Sequence, residues 1–122
     1  MLSYTVYKAL HLLGILLTVT ALGGMSIHAA NGGTRSESRT RALATAVHGT
    51  GLLLVLVAGF GMLARLGASA ASGWVLVKLG IWLALGLAAM IPYARPPLAR
   101  ALFVAVPLLA AFAGVVALTK PF

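Results

Sequence analysis

The chain has no cysteine and a single acidic residue, Glu37. Without cysteine there can be no disulfide, thiolate metal site, iron–sulfur cluster or sulfur nucleophile within the chain, and the redox compartment is left unmarked. One carboxylate excludes paired-carboxylate catalysis, calcium sites and carboxylate-bridged di-metal centres. Charged residues of both signs make up only 8%, against about a quarter in a soluble domain. Walker loop, nucleophile elbow, HExxH helix and dinucleotide-binding glycine fingerprint are all missing. No catalytic set is expected, and three histidines at different depths do not make a zinc or copper site.

What the chain does have is apolar mass. Hydrophobic residues account for 61% of its 122 positions and the mean hydropathy is +1.07. Four apolar stretches, at about 4–30, 41–66, 74–94 and 98–120, each exceed the roughly 20 residues that cross a ~30 Å hydrocarbon core. Polar turn residues at 31–38, small residues at 67–73 and the Arg95-Pro96-Pro97 run separate them. Short connections force neighbouring helices antiparallel. The expected fold is all-α, an integral membrane four-helix up-down-up-down bundle forming one transmembrane domain over residues 1–122. Lipid is then the solvent, and every polar group within a span needs a partner, a ligand or a water-filled cavity. Gly80, Ala84 and Ala88 form a small-residue stripe on the third helix, Ala110 and Gly114 repeat that spacing on the fourth, and Pro107 should bend the fourth helix.

The net charge of +8 does not signify nucleic acid, because no basic groove with interleaved aromatics exists. Arg35, Arg39, Arg41, Arg95 and Arg100 gather at the first and third loops, where they meet anionic headgroups. Lys8, Arg65, Lys78 and Lys120 belong to the other side. The positive-inside rule then places the Arg-rich face in the cytoplasm and both termini on the non-cytoplasmic side, in a bacterial inner membrane. A cleaved signal peptide fits the first helix poorly: the span is too long, and His28 stands where a small residue would precede a cleavage site.

Few residues are left to carry chemistry. Lys8 and His11 lie one turn apart on the first helix, and Trp74, Lys78 and Trp82 follow at i, i+4, i+8 on the third, setting a cation between two indoles. Both sets enter from the same side at similar depth, so a hydrogen-bonded or ligand-holding cluster of His11, Lys78 and the tryptophans is geometrically reasonable. Snorkelling lysines and interfacial aromatic anchors account for the same residues. His11 lies deeper and calls for a neighbouring helix or a ligand. His48, in Ala-Val-His48-Gly-Thr-Gly, has glycines that admit a flat macrocycle or another helix. His28, at the end of the first helix, is expected at the interface. His11 and His48 differ in depth by roughly 10 Å at ~1.5 Å per residue, so His28 and His48 form the better pair for clamping one haem b.

Tyr7-Lys8-Ala-Leu-His11-Leu-Leu, Val47-His48, Trp74-Val-Leu-Val-Lys78-Leu and the closing Val-Ala-Leu-Thr119-Lys120-Pro121 occur in this order in SirB-like proteins, which the chain resembles over nearly its whole length. More distantly it is similar to the four-helix cores of CopD-type and HemJ-type membrane proteins. SirB-like proteins tend to read Pro-His-x-x-Asp where this chain has Val47-His48-Gly-Thr-Gly51, so the acidic group of any proton relay is missing. The resemblance implies the bundle architecture, with His11, His48 and Lys78 as positions of interest, and its HemJ-like members imply haem or porphyrin chemistry. Three functions follow as expectations. The first is a non-catalytic accessory or scaffold subunit of a larger membrane complex, respiratory or photosynthetic, with lipid and other membrane subunits as partners. The second is a haem- or porphyrin-binding redox protein with His48 or His11 on the iron and Lys78 against a propionate. The third is a CopD-like metal-handling or transport protein using Met25, Met62 and Met90.

Overall fold

The computed structural model describes residues 2–122. The apolar stretches become four helical spans of membrane-crossing length, Tyr4–Ala30, Arg41–Leu66, Gly73–Ala94 and Pro96–Thr119. No strand occurs among the described residues. The architecture is the expected all-α four-helix bundle.

Local chemistry sets the helix ends. Helix α1 (Tyr4–Ala30) starts where extended Ser3 turns its Oγ to accept the Val6 amide at 3.2 Å, an N-cap bond. Beyond its other end Gly32 adopts φ 86°, and helix α2 (Arg41–Leu66) ends at Gly67 with φ 65°, left-handed positions that suit glycine. The third span is divided into α3 (Gly73–Leu87), a 3₁₀ turn at Ala88–Met90 and α4 (Ile91–Ala94). Pro92 explains the division. It has no N–H to offer the Ala88 carbonyl, which accepts from Ile91 instead. Arg95 then leaves helical geometry ahead of Pro96 and Pro97. The fourth span is a short 3₁₀ turn followed by α5 (Ala99–Thr119), whose helical backbone continues through Pro107.

Helix α1 is the central element. It packs most closely along α2 and also meets α5 and α4, whereas α2 and α3 touch only lightly. Its buried side runs through His11, Gly14, Thr18, Leu22, Met25 and Ala29, the three- and four-residue spacing of one helix face. The closest approach is glycine against glycine. A Cβ on Gly14 would stand 2.8 Å from the Gly51 carbonyl oxygen, and one on Gly51 would stand 2.8 Å from the Gly14 oxygen. Thr18 returns its hydroxyl to the Gly14 carbonyl at 2.9 Å, so the crossing leaves no polar group in lipid.

The two ends of the bundle differ. Toward the first and third loops Leu22, Ile81, Leu85, Ala88 and Val106 form a close-packed core. Toward the two chain ends the helices surround a cavity. The small-residue stripe on α3 does not make the expected packing surface: Gly80 and Ala84 face outward. The helix is turned instead to bring Ile81 and Leu85 onto Leu22.

Candidate functional site

Three side chains on three spans reach across to backbone carbonyls. His11 Nδ1 lies 2.9 Å from the Val55 oxygen, and His48 Nε2 lies 3.1 Å from the Leu85 oxygen. Trp82 Nε1 donates to the Leu52 oxygen at 2.9 Å. A carbonyl only accepts, so each histidine nitrogen named is the protonated one. The first bond ties α1 to α2. The other two hold the α2–α3 seam, where the backbones touch only lightly.

These bonds separate the histidines chemically. His48 commits Nε2 to α3. Of the two glycines that follow it, Gly51 is filled by α1, whereas Gly49 has open space around it. His28 sits near the loop end, its Nδ1 2.8 Å from the Tyr93 hydroxyl and the two rings edge to face at 5.6 Å. Arg35 lies over the other aspect of this cluster, 5.5 Å from the Tyr93 centroid, and donates to the Ala89 carbonyl at 3.0 Å. His28 thus bonds within the loop-end cluster and His48 within the α2–α3 seam. His11 differs from both: with Nδ1 donating, its Nε2 carries the lone pair, and the ring lines the cavity.

That cavity, about 380 Å³, lies among all four spans and has Lys8, His11, Trp74, Lys78, Trp82 and Lys120 in its wall. Its volume falls at the lower end of small-molecule sites, about 300–1,000 Å³. Sequence spacing foretold that Lys8, His11, Lys78 and both tryptophans would share a place. The cation between the indoles is arranged differently. Lys120 is the cation over Trp74, with Nζ 5.3 Å from the ring centroid, while Trp82 is turned toward α2 and Lys78 faces the cavity. Lys120 takes this position because φ there is 43°, folding the last residues back until the Phe122 carbonyl accepts the Trp74 amide at 2.9 Å.

Tyr93 and Lys120 were not identifiable as site residues from sequence. Tyr93 gave no signal beyond an aromatic near a span end, and Lys120 depends on a backbone reversal. Gly59 and Gly61 belong to the site by what they lack: their missing side chains leave room for the His11 ring and the Tyr7 ring. Among the described residues no three histidine or carboxylate groups converge as metal ligands. Met25, Met62 and Met90 occupy the core, the cavity wall and the outer surface respectively.

No family model, curated protein or solved structure matches the chain.

Proposed function

We propose that this is a non-catalytic membrane protein that holds a small amphiphilic molecule in the cavity between its four spans. The observation that carries this reading is the cavity's polarity: basic and aromatic at the end near the chain termini, apolar below. Membership of the SirB-like proteins belongs to the same proposal and rests on the His11, His48 and Lys78 motifs. So does the orientation, with the arginine-rich loops cytoplasmic and the cavity opening on the opposite side of a bacterial inner membrane.

The two tryptophans of the chain both line the cavity, so all indole fluorescence reports on its contents. In neutral-lipid nanodiscs, a brominated fatty-acid methyl ester is expected to quench that fluorescence saturably. Ala113→Phe, which fills the wall, should remove the saturable part. Quenching that rises linearly and equally in both proteins would sink the reading. Were the occupant haem b, the purified protein would show a Soret band that His11→Ala abolishes and His48→Ala leaves.

A second reading, an accessory subunit, draws on the fourth span. Only 11% of its apolar stretch is buried, and Leu108, Phe112 and Val115 are all exposed. A photocrosslinker at Phe112 should yield discrete protein adducts in native membranes. Adducts to lipid alone would remove this reading.

A further inference from the structure

We infer that the cavity selects an anionic amphiphile, one acyl chain ending in a carboxylate or phosphate, and that Lys78 is the residue that reads the head group. The inference rests on the ligand-holding reading above and adds the chemistry of the ligand. Lys8 on α1, Lys78 on α3 and Lys120, just past the end of α5, meet in one cavity wall. The only carboxylate side chain in the chain, Glu37, lies in the loop after α1 at the far end of the bundle. Lys120 already donates to the Ala117 carbonyl at 2.7 Å and covers Trp74. Lys8 and Lys78 have no hydrogen bond or ion pair among the described residues, and of these two Lys78 is half-buried while Lys8 is exposed.

Uncompensated positive charge in a site walled by hydrocarbon is unfavourable. An entering anion relieves it; His11 on the same wall presents a bare Nε2 that only accepts, so the head group is left to the lysines. The wall extends from Tyr4 to Thr18 on α1, a depth of about 20 Å at ~1.5 Å per residue. Its floor is Leu52, Ile81 and Leu85, with Thr18 turned back onto its own helix. A cavity that deep and of only about 380 Å³ is a slot, suited to an extended chain more than to a broad ring. A charged mouth above an apolar slot has the polarity of a single-chain lipid.

The test compares three brominated ligands with the same chain in neutral-lipid nanodiscs: the carboxylic acid, its methyl ester and the corresponding alkyl phosphate. Tryptophan quenching should saturate at roughly tenfold lower acid or phosphate than ester, the scale of one charge-assisted hydrogen bond. The acid and phosphate arms identify which head is favoured. Lys78→Gln should erase the preference while leaving ester binding in place, and Lys78→Arg should keep it. Equal affinity for acid, phosphate and ester in the unmodified protein overturns this inference but not the ligand-holding reading. If no arm saturates, both fall. The wild-type comparison needs no variant, so a poorly folding Lys78→Gln does not spare the inference.

Discussion

His11 and His48 are both 8% exposed, and each is satisfied by a different carbonyl on a different helix. Inter-helix hydrogen bonds inside a bilayer are each worth about 0.6 kcal/mol on average and up to about 1.7. His11→Leu and His48→Leu should therefore each lower stability by about 1 kcal/mol in a detergent or steric-trap unfolding measurement. Because the bonds share no atom, the double variant should lose the sum to within about 0.5 kcal/mol. Two histidines on one iron would instead show strong coupling. From the sequence one could tell that His11 needed a partner, since it lay too deep to snorkel. That the partner is the Val55 carbonyl was not readable, because a backbone acceptor carries no residue-type signal. Lys78 and the tryptophans were legible as cavity neighbours because i, i+4, i+8 spacing fixes a helix face. Which cation lies over which ring was not, since Lys120 arrives by a left-handed turn no local preference of lysine demands.

Among the elements, the α1–α2 crossing sets the tightest tolerance. Gly14 would place a Cβ against backbone atoms and the Leu54 Cβ at 2.8–2.9 Å, and backbone does not yield as a flexible side chain does. Gly14→Val should separate the two helices and cost about 1–3 kcal/mol, the range for overpacked interiors. Gly80→Val should leave the unfolding midpoint close to wild type, because nothing stands within 4 Å of the added atom. Equal effects in the two variants would mean that the crossing is not a packing constraint. Helix boundaries were legible because hydropathy, Pro96-Pro97 and the glycine caps are local signals, whereas the 3₁₀ turn that Pro92 imposes inside the third span was not anticipated there. Pairing of the helices was obscure. In water, polar and apolar faces differ in composition; in lipid an outward leucine and an inward one are chemically alike. Hence Gly80-x-x-x-Ala84 could be taken for a contact surface when Gly14 and Gly51 form it.

At the scale of the molecule the two ends are unequal in charge. Arginines gather at the first and third loops, and lysines line the cavity at the other end. With no native cysteine, single replacements at Ser36 and Ser72 give clean topology reporters. A membrane-impermeant maleimide applied to intact cells should modify Ser72→Cys and spare Ser36→Cys until the membrane is permeabilised. The reverse pattern would invert the proposed orientation and turn the cavity toward the cytoplasm. The bundle, its antiparallel order and its spans follow from length and hydropathy, whereas the cavity arises from a light α2–α3 seam that no single span encodes.

The folded-back tail has a practical corollary. The Phe122 carbonyl holds the Trp74 amide at the start of α3 while Lys120 covers the indole of that residue. An affinity handle fused after Phe122 would tug on that brace and could shift the emission of Trp74 before any compound is added. A handle spliced into the arginine-bearing loop around Ser36, at the opposite pole, leaves the brace alone and is the sounder choice for every fluorescence assay above.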